Sequence, residues 1–216
     1  MTSPANTFET LHTLSLNELS CTRGGRQLFR GVTQQVLPGQ LLRVQGANGA
    51  GKTSLLRMLC GLLLPTQGQV LWCGQPLAGQ REVFGHSLVY LGHAAALKDE
   101  LSPLENLLDA CALGGHTPDI PAARAALEGA GLRGFERTPA RRLSQGQRKR
   151  SALARLALSQ TAQLWVLDEP FNALDTAANA WLTRLIEAHL QNAGMVVLTS
   201  HQDMPINTPN QKDLAL

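Results

Sequence analysis

The sequence predicts an α/β fold built on a parallel sheet, with antiparallel strands leading into it and a helical insertion interrupting it. Three observations carry that expectation. Apolar strand-like runs at both ends of the chain alternate with helical patterns, and such crossovers imply parallel pairing. A glycine-rich stretch, "GANGAGKT", lies between one of those strands and a helix. The stretch from about Ala94 to Arg155 has helical patterning, with turn signals but no strand between.

Bulk properties agree. The chain has 216 residues, 44% hydrophobic and only 16% charged, which suits one domain with a sizeable core and excludes a disordered chain. A net charge of +3 fits an anionic ligand or a membrane surface without establishing nucleic-acid binding. The start, "MTSPANTFETLHT", lacks the apolar stretch of a signal peptide. No apolar run approaches the roughly 20 residues that span a bilayer, so a soluble chain that meets membranes only through partners is expected. Cys21, Cys60, Cys73 and Cys111 have no metal-binding or CxxC spacing. They read as small packing residues in a reducing cytoplasm.

Taken in order, Leu14 to Leu42 is strand-like, broken by turns at Arg23 to Gly25 and at Pro38 and Gly39. "LLRVQG" is a strand ending at Gly46, and leucines recur at helical spacing from Thr53. After a turn at Pro65 to Gly68, "QVLWC" and "SLVYLG" are strands. Ser102, Pro103 and Glu105 provide an N-cap, a first-turn proline and a capping-box carboxylate for a helix. Gly114 to Pro121 reads as a linker before the alanine-rich helix "AARAALEGAG", and a further helix is expected from near Gly146 to Ser159. "LWVL" is a fully buried strand, "TAANAWLTRLIEAHLQNAG" an amphipathic helix stopped by Gly194, and "MVVLTS" the final buried strand. The polar tail after Gln202 is expected to be loosely ordered.

Gly46 to Thr53 matches G-x-x-x-x-G-K-[ST] in the strand-before, helix-after setting that gives the match meaning. Gly46, Gly49 and Gly51 let the backbone curl, so that the N–H groups of Ala47, Asn48, Ala50 and Ser54 can surround phosphate oxygens. Lys52 adds a full charge for the β- and γ-phosphates, and the Thr53 hydroxyl is a candidate Mg²⁺ ligand. This is a P-loop NTPase pattern. Downstream, "LWVLDEP" puts Asp168 and Glu169 at the tip of a strand expected beside the phosphate loop. Asp168 is the candidate carboxylate for the Mg²⁺ shell, and Glu169 the candidate general base toward water.

"LSQGQRKR" then decides the class. Leu143 to Gln147 resembles the LSGGQ signature of the ATP-binding-cassette (ABC) family, with Gln145 replacing one glycine. Asn172 to Asp175, "NALD", resembles that family's D-loop, and "LTSH" ends at His201, where its switch histidine stands. The resemblance covers nearly the whole chain, with the motifs in the family's order. It implies a RecA-like sheet core over 1–93 and 156–216, N-terminal antiparallel strands, and a helical subdomain over about 94–155. It implies ATP and Mg²⁺, and a head-to-tail pair of copies. Ser144, Gly146 and Gln147 of one copy, with Asp175 nearby, would reach the nucleotide held by the other.

Two positions depart from the family pattern. Where an aromatic usually stacks on adenine, Arg23 stands nearest, and a guanidinium can also stack on a base. Where a hinge glutamine usually senses Mg²⁺ and the attacking water, this chain has His93, whose imidazole could offer one acceptor nitrogen instead. "GH" at Gly92 and His93, with "GQVLWCGQPL" and "LDEPFNALD", resembles the ATPase subunits of cytochrome c maturation transporters, the haem exporters. That resemblance implies a peripheral subunit on the cytoplasmic face of the bacterial inner membrane, docked on transmembrane permease subunits, with haem or a haem-carrying chaperone as cargo. No haem-binding pattern such as C-x-x-C-H is present. The basic cluster Arg141, Arg142, Arg148, Lys149 and Arg150 is expected to be solvated or phosphate-facing, and nucleic acid is not expected as a partner. Three rivals stay open: another small-substrate exporter, a soluble cassette acting on nucleic acid or ribosomes, and a non-hydrolysing regulatory module.

Overall fold

The computed structural model describes residues 12–159, 161–200 and 206–216. Two strands, β1 (Leu14–Arg23) and β2 (Arg26–Val36), form a hairpin, followed by β3 (Leu41–Gln45) and the helix α1 (Lys52–Leu59). Next come β4 (Gln67–Trp72), β5 (Gln75–Pro76), α2 (Arg81–Ser87) and β6 (Leu88–Leu91). Three helices follow, α3 (Pro103–Leu113), α4 (Ile120–Gly129) and α5 (Gln145–Leu153). The chain then returns through β7 (Leu164–Leu167), α6 (Thr176–Gln191), β8 (Met195–Thr199) and β9 (Gln211–Ala215). One sheet is antiparallel, in the order β2-β1-β4-β5, and the other is parallel, in the order β6-β7-β8-β3-β9.

The parallel sheet is covered on both faces, which is why its central strands are apolar without alternation. Within β7, Trp165 and Leu167 face one core cluster, while Leu164 and Val166 face the other. The first cluster continues through Leu107, Cys111, Ala123 and Leu127 of the helical segment, so those helices share their core with the sheet. The second joins the sheet to α1 and to the antiparallel strands through Leu55, Leu59, Leu14 and Trp72. Cys21, Cys60 and Cys111 are buried in these clusters, where desolvation raises their thiol pKa values.

Several expectations are corrected. The tail is not loose where it is described: β9 pairs in parallel with β3, and Leu214 and Leu216 pack against the second cluster. An open sheet edge attracts a partner strand whatever the polarity of its residues, because the backbone supplies the bonds. Helix α2 has no strong periodicity in sequence and is held by Phe84, which meets the Trp72 ring edge-on at 5.0 Å. The helix expected to run to Ser159 tightens into a 3-10 turn over Ala154–Leu158. The linker before α4 ends early, at Asp119, whose side chain caps the helix by accepting from Ala122 N. Gly194 closes the end of α6 as expected, its N–H donating to His189 O at 2.9 Å, but it is not the left-handed residue there. Ala193 takes that conformation (φ 61°), and a Cβ on Gly194 would lie 2.3 Å from the His189 ring.

Candidate functional site

The buried residues of β3 lead the chain directly into the glycine loop. Gly46, Gly49 and Gly51 have φ values of 153°, 81° and 106°, which side-chain-bearing residues rarely adopt. Gly51 has no room for a side chain either, since a Cβ there would come 2.9 Å from the Phe29 ring of β2. The loop is therefore backed by the antiparallel sheet. No side chain caps α1 at Gly51, so the positive end of that helix is presented by its own first-turn N–H groups. Between the glycines, Ala50 N donates to Ala47 O at 3.1 Å, which curls the loop through Asn48. Lys52, only 7% exposed, folds back over the loop and donates to Gly46 O at 2.7 Å and Ala47 O at 3.2 Å. Ser54 is buried and faces the Cys21 thiol.

In the sheet, β8 lies between β3 and β7, the strand that carries the carboxylates. The phosphate loop bridges that gap. Thr53 Oγ1 donates to Asp168 Oδ2 at 2.8 Å, and Thr199 Oγ1, from the end of β8, donates to Asp168 Oδ1 at 2.8 Å. The Thr199 hydroxyl also accepts from Glu169 N at 2.8 Å. Thr199 is fully buried and was not singled out in the sequence. Its only signal is a hydroxyl at the end of an apolar strand, which gains meaning once β8 is known to be the intervening strand.

Glu169 has a left-handed backbone (φ 49°), an unusual conformation for a glutamate. Its carboxylate meets different partners from that of Asp168. Asn172 Nδ2 donates to Glu169 Oε2 at 3.5 Å, and His93 Nδ1 lies 3.8 Å from the same oxygen. His93 was expected to present an acceptor to metal or water. Here Nδ1 faces a carboxylate, which only accepts, so its fitting role is donor, and that tautomer leaves Nε2 as the acceptor nitrogen.

At the other candidate region, Ser144 caps α5, which starts at Gln145, one residue before the expected start near Gly146. Ser144 Oγ accepts from Gln147 N at 3.2 Å, while Gln147 Oε1 accepts from Ser144 N at 2.9 Å. Gly146 packs closely against the D-loop segment, with Ala173 O 3.1 Å from where a Cβ would stand. Asp175 caps α6 by accepting from Ala178 N, and its other carboxylate oxygen lies 3.7 Å from Arg150 Nη1. Arg23 sits opposite Arg26 at the hairpin end, exposed. His201 falls outside the described residues.

The basic cluster is not simply solvated. Arg148 pairs with Asp99 at 2.7 Å and donates to Ala140 O, Arg141 pairs with Glu100, and Arg150 bonds Gly131 O. Lys149 reaches Asp168 O at 3.5 Å. Arg148, Lys149 and Arg150 thereby tie α5 to its surroundings.

Residues 29–172 match the ABC transporter family. The chain belongs to that family. It is 53% identical over 192 residues to the cytochrome c biogenesis ATP-binding export protein CcmA of Aromatoleum aromaticum, covering 89% of this chain and 90% of that one. The protein of the same name from Methylococcus capsulatus is 51% identical, over 87% of this chain and 90% of its own length. Among solved structures, a putative ABC transporter ATP-binding protein from Pyrococcus furiosus superposes with a TM-score of 0.79 at 22% identity, over 94% of this chain and 97% of that one. An ATP-binding cassette solved as a dimer after hydrolysis, bound to ADP and Pi, superposes with a TM-score of 0.74 at 22% identity, over 88% of each chain. These structures share the fold. The chain is thus an ABC ATPase with the α/β P-loop architecture, and no helix among its described residues is long and apolar enough to cross a membrane.

Proposed function

We propose that this ABC ATPase is the ATP-hydrolysing subunit of a cytochrome c biogenesis export complex. In this reading it docks on transmembrane permease subunits at the cytoplasmic face of the bacterial inner membrane. Hydrolysis is coupled to handling haem, either as cargo or through release of a haem-carrying chaperone. The observation that carries the reading is the combination of 53% identity along nearly the full length of a protein of that name with a connected Thr53–Asp168–Thr199–Glu169 site.

The residues divide the work by chemistry. Lys52 leaves the carbonyls of Gly46 and Ala47 for the β- and γ-phosphate oxygens, which are the stronger acceptors. The backbone of 46–54 surrounds the phosphates, and Arg23 is the planar group available to the base. Thr53 Oγ1 and Asp168 Oδ2, 2.8 Å apart, are two hard oxygen donors that suit Mg²⁺. When bound, that ion would neutralise charge between the β- and γ-phosphates. Glu169 takes a proton from water as the water oxygen bonds to the γ-phosphorus, and the electron pair of the broken bridge leaves with ADP. His93 orients the Glu169 carboxylate, and His201 is assigned to the γ-phosphate. Ser144 Oγ already accepts from Gln147 N, so its hydroxyl proton is free for the nucleotide of a second copy, beside Gly146, Gln147 and Asp175. The core over 1–93 and 156–216 would carry the cradle, and the helical part over about 94–155 would carry the signature.

Glu169→Gln tests the reading in the assembled complex. Nucleotide binding should persist while steady-state hydrolysis falls by about 100- to 10,000-fold, the range for loss of a general base. Unchanged turnover would remove Glu169 from that role. Co-purification with permeases from native membranes, rather than with RNA, tests the partner assignment.

A further inference from the structure

The peptide unit between Asp168 and Glu169 is held at both ends. Its N–H donates to Thr199 Oγ1 at 2.8 Å, a contact from within the sheet. Its C=O faces Lys149 Nζ at 3.5 Å, a contact from α5. Because Glu169 takes a left-handed φ of 49°, the orientation of this peptide plane decides where its carboxylate points. Lys149 is half-buried on the wall of a cleft of about 530 Å³, between the His93–Leu97 loop, α5, and Asn172 and Ala173. Burial lowers its pKa, and the Asp168 and Glu169 charges act in the opposite direction. A cation left half-buried beside a catalytic carboxylate has a desolvation cost to offset, and the peptide carbonyl and the two carboxylates are what offset it here.

We propose that Lys149 is a positioning residue: it holds the Asp168–Glu169 peptide from the signature helix, so that Glu169 faces water only while α5 is seated against the carboxylate strand. The inference rests on Glu169 acting as the base. It adds a link, within one chain, between the helix whose Ser144 end is assigned to a second copy's nucleotide and this chain's own hydrolytic group. Ser144 and Lys149 lie on the same short helix, so a shift of α5 at one end is felt at the other.

Steady-state ATPase assays on the purified chain with its permeases test this with Lys149→Met, Lys149→Arg and Glu169→Gln, singly and with Lys149→Met combined with Glu169→Gln. Lys149→Met should lower kcat by about 10- to 100-fold, the range for a misplaced reacting group, and leave KM for ATP within about two-fold. Lys149→Arg, which keeps the donor and the charge, should recover most of the rate. In the Glu169→Gln background, Lys149→Met should have little further effect, because the group it positions is gone. A Lys149→Met enzyme with normal kcat, a loss confined to KM, or an equal loss in Lys149→Arg would overturn the proposal. If Lys149→Met does not fold, as judged by thermal melting, the Arg variant still decides, since failure to sustain turnover in a folded Arg variant also overturns it. Full turnover by Glu169→Gln would sink the base assignment instead, so the two failures are distinguishable.

Discussion

The two halves of the candidate site are held in opposite ways. At the C-terminal end of the parallel sheet, Thr53, Asp168 and Thr199 are joined by hydrogen bonds between residues 115 and 31 positions apart in the chain. At the tip of α5, Ser144 and Gln147 satisfy each other across three positions. The first arrangement exists only when the sheet is assembled, and it sits in a nearly dry interior. The second forms whenever the helix does, and it faces solvent. Rigid placement is thus concentrated where a phosphate and a metal must be met within tenths of an ångström, while the surface that would meet a second copy is built from local, replaceable bonds.

The sharpest way to break that comparison is to stress the core behind the sheet. His189 of α6 is buried with its ring stacked on Trp165 of β7, the centroids 3.8 Å apart and the planes nearly parallel. Burial lowers its pKa to about 4 from 6.5, against the effect of backbone hydrogen bonding at Met195 and Gln163. The unfolded chain takes up this proton below about pH 6.5 while the folded chain refuses it until about pH 4. Stability attached to this residue is therefore intact above 6.5 and is lost as pH falls through that window, by about 3 kcal/mol. Denaturant melts between pH 7 and 4 should show a shallower acid slope for His189→Phe than for the parent chain.

Next in size, Thr199→Val keeps the shape of the side chain but leaves Asp168 Oδ1 and Glu169 N without their buried partner. A stability loss of about 2 kcal/mol is expected in urea unfolding, together with a fall in turnover. Ser144→Ala should cost only about 1 kcal/mol as a lost cap. Its turnover in the permease complex should fall by more than that accounts for, and Ser144→Thr should restore the cap. If Ser144→Ala changed stability and nothing else, the assigned contact with a second copy would be lost. The smallest effect is expected of His93→Gln. His93 is largely exposed and 3.8 Å from Glu169, so a change in kcat of no more than a few-fold should appear in initial-rate assays.

Much of this molecule was legible in its residues. The phosphate loop, the signature and the acidic pair are contiguous motifs, and contiguous motifs survive being read one dimension at a time. The capping box at Ser102 was legible for the same reason, since both partners lie within one turn, whereas the one at Ser144 was passed over because the signature motif drew the reading. What could not be read were partners brought together by the sheet. Thr199 has no motif of its own, β9 looks like a polar tail until β3 offers it an edge, and Lys149 looks like one more surface cation until α5 is laid against the carboxylate strand. His93 was visible as a departure from the family pattern, but its neighbour was not.

The sequence by itself determined the class of chemistry, because phosphate binding depends on a short backbone conformation that glycines and one lysine specify locally. Only the tertiary structure decided how the carboxylates are aimed. The order β7-β8-β3 places Thr199 between two strands and turns Asp168 toward Thr53, and Glu169 takes its direction from a peptide gripped by side chains far from it in sequence. Long-range hydrogen bonds carry no signature along the chain, and their energies appear only once water has been excluded around them.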